Sequence, residues 1–384
     1  MGPLNGIKVL EFSGIGPGPY CGMILADLGA EVIRLSRKSQ KGEENKYDIH
    51  NRSKLSITAD LKNKDTIQEI LKLIKDVDVV FEGFRPGVME KLGLGPDECL
   101  AVNNALIYGR MTGWGQEGPM SKVAGHDINY ISLSGALNSM GRSSGNPQAP
   151  LNLVGDYGGG GAQLAIGILS ALIGSMKTGK GQVVDAAMID GSLSLMSFFY
   201  SLKEMGHWQD NRESNLLDGG AHFYDTYKCS DKKFVAIGSI EPQFYSILLE
   251  KLEIQDERFS NHMDKAKWPE LKAIIAERIK LKTREEWITI FRGTDACVTP
   301  VLDMDEAKAH EHNVAREAFI NIDGFVQPAP SPRFSHDRVH IKHNSKEIGS
   351  DNLEICSRFR LDHISRLSEP KPRTYLKIIR ANFF

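Results

Sequence analysis

Short apolar runs alternate with stretches of helical spacing through the first third of the chain. Ile7–Phe12 predicts a strand, the loop Ser13-Gly14-Ile15-Gly16-Pro17-Gly18-Pro19 follows, and Tyr20–Leu28, stopped by Gly29, predicts a helix. Glu31–Leu35, Asp78–Glu82 and Ala105–Arg110 read as further strands, with a helical pattern over Thr66–Lys75 ahead of Asp78. Strands spaced by helices argue for a parallel sheet with crossovers, as in doubly wound α/β folds. From Gly158 to Met176 a Gly-rich start leads into a small-residue helix; a turn over Thr178–Gly181 and a strand over Val183–Ala186 follow. Ser192–Met205 has helical spacing, and the polar stretch Gly206–Gly220 reads as a linker. A second unit opens with a hairpin pattern, Phe223–Cys229 and Phe234–Gly238 around Ser230–Lys233, and continues as helices over Glu241–Leu252, Lys267–Leu281 and Thr283–Phe291. Pro328-Ala329-Pro330-Ser331-Pro332 marks a stiff linker.

Composition narrows the class. The 384 residues suffice for two or three domains with their own cores. Lys+Arg 47 against Asp+Glu 49 gives a formal charge of −2, which argues against a dedicated nucleic-acid binder. Five dispersed cysteines without CxxC spacing read as reduced thiols in an intracellular compartment. No charged-then-apolar leader opens the chain, so no secretory signal is expected. The longest apolar stretch, Leu164–Gly174, is too short for a bilayer, so no membrane span is expected.

Several residues carry candidate chemistry, each beside a plainer reading. Ser13–Pro19 follows a strand and precedes a helix, the context of a phosphate-binding turn, yet Pro17 and Pro19 remove N–H donors. It is either a ligand-facing loop or a tight turn. Arg34, Arg37 and Lys38 fall at a strand end, and Arg85 follows another; they are either phosphate clamps or solvated charges. His126, in Ala124-Gly125-His126-Asp127-Ile128-Asn129-Tyr130, is either a structural or capping residue or an acid/base at a helix N-terminus. Asp156, after Asn152-Leu153-Val154-Gly155, is either a second acid/base or an N-cap, and Glu241 has the same capping alternative. His310-Glu311-His312 has poor geometry for metal on a helix and no evident third ligand. No Gly-x-Ser-x-Gly or HExxH motif is present, which weakens hydrolase and metalloprotease readings.

A long ordered set of motifs then becomes informative: GIKVLEFSGIGPGPYCGMILADLGAEVIRL, FRPGVMEKLGLGP, GWGQEGP, AGHDINY, GRSSGNPQAPLNLVGDYGGGG, TGKGQVVDAAMIDG, NLLDGGA, GSIEPQFY and GTDACVTPVL. Across about residues 4 to 335 the chain resembles the family III CoA-transferase superfamily, and most closely its α-methylacyl-CoA racemase branch. The resemblance implies a large Rossmann-like CoA-binding domain (1–190), a linker (191–220), a small α/β domain (221–315), a return linker (316–340) and a divergent C-terminal tail (341–384). It implies an interlocked homodimer whose site forms between the large domain of one chain and the small domain of the other. The implied activity is epimerisation of 2-methyl-branched acyl-CoA thioesters by two bases through an enolate. The alternative is CoA transfer between carboxylic acids through a covalent intermediate on Asp156.

By the same resemblance His126 and Asp156 are the two bases, Glu241 orients or charges His126, and Asn152 partners Asp156. CoA contacts fall to Arg37, the loop Thr58-Ala59-Asp60-Leu61, Arg85, and Gly125, Asp127, Ile128, Asn129 and Tyr130, with the amide end of the helix at Asp127 as the oxyanion site. No metal or redox cofactor is implied, CoA being part of the substrate.

The C-terminus departs from this pattern. Gly349-Ser350-Asp351-Asn352 stands where the family has Gly-x-His-Thr, and Leu353–Leu367 keeps helical spacing but carries three arginines. Loss of the closing helix would put the large domain in doubt. Relatives in this superfamily are peroxisomal and mitochondrial, which sets the expected compartment. The last residues, Asn382-Phe383-Phe384, are not a peroxisomal tripeptide, however, and Ser365-Arg366-Leu367 is internal, which leaves the cytoplasm as the alternative.

Overall fold

A computed structural model describes residues 2–43 and 45–361. Ser365-Arg366-Leu367, the last three residues and the end of the helical spacing read to Leu367 lie outside the described residues.

Six strands form one parallel sheet: β1 (Lys8–Phe12), β2 (Glu31–Arg37), β3 (Leu55–Ala59), β4 (Val79–Glu82), β5 (Ile107–Thr112) and β6 (Gln182–Ala187). Their order, β3-β2-β1-β4-β5-β6, is that of a doubly wound fold, with the reversal between β1 and β4. Both faces are covered, so the central strands are largely apolar rather than alternating, with Glu11 and Arg110 among the buried charged exceptions. Val9 packs on one side with Leu25 of α1 (Pro17–Asp27). Leu10 packs on the other with Ile70 of α2 (Lys64–Ile74), Met89 of α3 (Val88–Leu92) and Cys99 of α4 (Pro96–Val102). The short helix α5 (Asp127–Leu133) follows β5.

A π-helical segment, Leu153–Gly161, runs directly into α6 (Ala162–Thr178). The joined run, Leu153–Thr178, is long and apolar enough to cross a membrane by length and composition, beyond the shorter stretch seen in sequence. Half of its most apolar window is buried, and Leu164 and Ile168 pack in the core with Ile107 of β5 and Leu25 of α1. The single helix expected over Ser192–Met205 is two, α7 (Met188–Leu195) and α8 (Ser197–Glu204), parted at Met196.

A second, antiparallel sheet has the order β7-β8-β9, from β7 (Tyr224–Lys228), β8 (Phe234–Gly238) and β9 (Val298–Pro300). Helices α9 (Pro242–Leu252), α10 (Trp268–Ile279) and α11 (Arg284–Phe291) close its core around Phe223, Leu248, Trp268 and Trp287. After α12 (Met304–Ala309) and α13 (Glu311–Ala315), a hairpin of β10 (Phe319–Ile322) and β11 (Phe325–Pro328) occupies a stretch expected to be linker. The Arg52 guanidinium, paired with buried Asp27, also donates to Gln327 Oε1 at 3.1 Å and Pro328 O at 2.7 Å, which ties this hairpin to the large sheet.

The largest correction concerns the end of the chain. Residues 341–361, expected as part of a divergent tail, return to the large sheet. Edge strand β3 has its Ser56 N–H bonded to Asp351 Oδ2 (2.8 Å) and its Thr58 N–H to Asn352 Oδ1 (2.9 Å). Asn352 Nδ2 then donates to Thr58 Oγ1 at 3.1 Å. Helix α14 (Asn352–Phe359) buries Ile355 and Cys356 against the same core as α2. Two side chains thus satisfy the N–H groups that an edge strand leaves open. The departure from Gly-x-His-Thr leaves this closing contact in place.

Candidate active site

The carboxyl ends of β1 and β4 flank the point where strand order reverses, the place where open α/β sheets bind ligands. From β1 the chain enters the loop containing Gly16, at φ 66°, and then α1. Asp156 rests against this loop: a Cβ on Gly16 would lie 3.0 Å from Asp156 Oδ2. The loop is therefore part of the site that Asp156 occupies. From β4 the chain enters Gly83–Gly87, whose entry is fixed by Glu82. Its Oε2 accepts the Phe84 N–H at 2.6 Å, and its Oε1 accepts from Arg110 Nε at 3.2 Å. Burial pushes the Glu82 carboxyl up to about 7, against the pull of the Phe84 N–H and Arg110.

His126 is the exposed N-cap of α5, its backbone N–H held by Asn129 Oδ1 at 3.0 Å. The next residue, Asp127, points inward and is 6% exposed. Its Oδ1 accepts the Asp156 N–H at 2.7 Å. Asn152 Nδ2 donates to Asp156 Oδ2 at 3.1 Å. Burial raises Asp156 above the ordinary carboxylate range, opposed by the Asn152 hydrogen bond and the His126 charge and reinforced by Asp127. His126, Asp127, Asn152 and Asp156 thus converge from α5 and the π-helical segment. Tyr130 donates to Gly125 O, packs edge-on against Trp114 (4.8 Å between centroids) and is pushed up to about 12 by burial and then by Asp156 and Asp127. Ile128 and Asn129 are exposed beside His126.

The remaining sequence candidates divide. Arg37 and Arg85 are exposed at the carboxyl ends of β2 and β4, and neither guanidinium has a hydrogen-bond or ion-pair partner among the described residues. Arg34, grouped with them in sequence, is buried and donates to Ser56 Oγ, so it does not face a ligand. Thr58 and Ala59 are a correction. They lie in β3, not in a loop; both are buried, and the Thr58 N–H and hydroxyl are taken by Asn352. Only Asp60 and Leu61 follow the strand; Asp60 accepts the Lys62 N–H and Leu61 leans on the core. Glu241 caps α9, exposed, with Cys297 in its field. Among the described residues no hydrogen bond or ion pair joins it to His126. His310 caps α13, and no group of three metal-ligating side chains occurs among the described residues.

Sequence reasoning missed two features. One is Glu82 with Arg110, whose signal was an acid ending an apolar strand. The other is an aromatic cluster beside Asp156: Tyr157 lies 4.8 Å from Tyr20 and 5.3 Å from His50, centroid to centroid. A cavity of about 480 Å³ lies apart from these groups, among Arg142, Gln148, Tyr224, Asp225 and Cys297.

The sequence profile of CoA-transferase family III matches residues 4–352. The chain belongs to CoA-transferase family III. Within the family it is 48% identical over 359 residues to the alpha-methylacyl-CoA racemase of Mus musculus, covering 93% of each chain. It is 46% identical to the alpha-methylacyl-CoA racemase of Homo sapiens, covering 86% of each. Among solved structures, a CAIB/BAIF family protein from Brucella suis superposes with a TM-score of 0.81 at 26% identity, covering 93% of this chain and 99% of that one.

Proposed function

We propose that this chain is a racemase of 2-methyl-branched acyl-CoA thioesters, with His126 and Asp156 as its two bases. The observation that carries the reading is the 2.7 Å bond from the Asp156 N–H to Asp127 Oδ1, which brings the segment holding His126 against Asp156 beside the loop that follows β1. The relatives named as alpha-methylacyl-CoA racemases support the substrate class. One base takes the proton from the carbon next to the thioester carbonyl, and the electron pair moves onto the carbonyl oxygen. The other base returns a proton to the opposite face, so atoms and charge balance and only the configuration changes. The enolate oxygen needs donors in place before it forms. The N–H groups of Asp127 and Ile128 donate to no partner among the described residues and stand at the positive end of α5. Arg37 and Arg85 supply unpaired guanidinium groups for the phosphates of CoA. Catalysis needs no metal or redox group.

Glu241 acts on His126 across a homodimer. Exposed apolar residues on α6, α7 and α8, among them Ile166, Ile173, Leu193, Leu195 and Phe198, form the pairing face that supports this.

The test is α-carbon exchange in D2O with a single epimer of a 2-methylacyl-CoA. Deuterium uptake with inversion, lost in Asp156→Asn and in His126→Ala, is expected. CoA passing to a free acid without exchange would replace the reading with the transferase one.

A further inference from the structure

We infer that the Asp127 side chain is a positioning residue, a strut that fixes the distance between the two bases. The inference rests on the two-base reading above and concerns a different atom from the Asp127 amide.

Three observations carry it. First, Asp127 Oδ1 accepts the Asp156 N–H at 2.7 Å, a bond across 29 positions of sequence. His126 is the neighbour of Asp127 in the chain, so this bond ties the segment carrying one base to the segment carrying the other. Second, the approach is close. A Cβ on Gly155 would lie 2.5 Å from Asp127 Oδ1 and 3.2 Å from Ile131 Cγ2, so only glycine admits the carboxylate here. Third, Asp127 Oδ2 is buried with no hydrogen-bond partner among the described residues. A buried, half-satisfied carboxylate is costly, and stability alone does not explain its presence. It does place a negative charge beside Asp156.

The strut therefore has two separable effects. The hydrogen bond sets where the Asp156 carboxyl sits relative to His126. The charge raises the Asp156 pKa, along with burial and against Asn152 and His126. The other titratable side chains packed around this segment are Tyr130 and, through Tyr157, Tyr20 and His50.

Three substitutions separate the effects. Asp127→Asn keeps an oxygen acceptor for the Asp156 N–H and removes the charge. Asp127→Ala removes both, and Gly155→Ala displaces the strut while leaving its charge. Removing a neighbouring negative charge lowers the Asp156 pKa. In the direction where Asp156 takes the substrate proton, the acid limb of kcat/KM in Asp127→Asn shifts to lower pH, with a smaller loss of plateau kcat than in Asp127→Ala. In Asp127→Ala and Gly155→Ala, kcat falls about 100-fold, the scale of a one-ångström misplacement, and KM for the acyl-CoA is little changed. A folded Asp127→Asn with an unmoved acid limb, or Asp127→Ala with parental kcat, would overturn the inference. Absence of exchange by the parent chain would instead overturn the racemase reading and leave the strut unsupported as a catalytic device.

Discussion

Lys54 and Glu11 form an ion pair at 2.6 Å, with the lysine 2% and the glutamate 0% exposed. Lys54 also donates to Pro19 O at 3.0 Å, so the pair holds the start of α1, and with it the loop against which Asp156 rests. Two charges taken out of water are tolerable together and costly apart. Lys54→Met is expected to destabilise the fold by about 3–5 kcal/mol, and Lys54→Met with Glu11→Leu to recover most of that loss, in urea unfolding followed by fluorescence. Equal losses in the single and the double variant would mean that packing, not charge, is at stake. Glu82 gives a pH signature. Its folded pKa stands near 7 against an ordinary 4.5, so it favours the folded state below pH 4.5, and that contribution is lost as pH rises to about 7. The stability of the parent minus that of Glu82→Gln is therefore expected to fall across this window by up to about 3 kcal/mol. A difference that stays flat from pH 4.5 to 7.5 would show that Glu82 does not titrate in the folded chain.

At the scale of elements, β3 shows why part of the fold escaped the sequence. Asn51-Arg52-Ser53-Lys54 looks like a polar loop, because the acids that neutralise Arg52 and Lys54 lie 25 and 43 positions away. The following strand was hidden with it, so Thr58 and Ala59 were placed in a loop rather than in β3. β1, β2, β4 and β5 were legible because each keeps a short apolar run, interrupted in β1, β2 and β5 only by the buried charges Glu11, Arg34 and Arg110. The π-helical turn was not, since a run of four glycines after Tyr157 carries no periodicity. Spacing alone left His126, Asp156 and Glu241 open between caps and bases; the family resemblance singled them out. Their geometry needed the fold, because Asp127 and Asp156 meet only through tertiary contact. His222 was unread altogether. It is fully buried, bonded to the Tyr245 hydroxyl at 2.8 Å and pushed down to about 3 by burial, so it is neutral core. The Asp351 and Asn352 contacts to β3 predict that Asp351→Ala and Asn352→Ala each cost about 1–3 kcal/mol. Amide exchange should accelerate at Ser56 in the first and Thr58 in the second. Unchanged protection at both would mean that the edge strand is stable without them.

At the scale of the whole molecule, the proposed dimer is testable by complementation. A His126→Ala chain and a Glu241→Ala chain are each expected to be nearly inactive alone. Co-expressed, they form mixed dimers in which one of the two composite sites carries both defects and the other carries neither. Activity restored toward half that of the parent in the mixed species supports a site shared between subunits. No restoration in a verified mixed dimer would place Glu241 and His126 in the same chain's site or separate them functionally.

The latch on β3 also sets an order of events during synthesis. Ser56 meets Asp351 across 295 positions of chain, so a ribosome that has made all six strands of the large sheet has not yet made the residues that cover its edge. Until Asp351 and Asn352 emerge, the nascent sheet presents unpaired N–H groups of the kind that recruit other strands. The hairpin held by Arg52 arrives almost as late. Covering of the large sheet's edge is thus a step that follows synthesis of all six of its strands, and the nascent edge stays open while the residues between β6 and Asp351 are made.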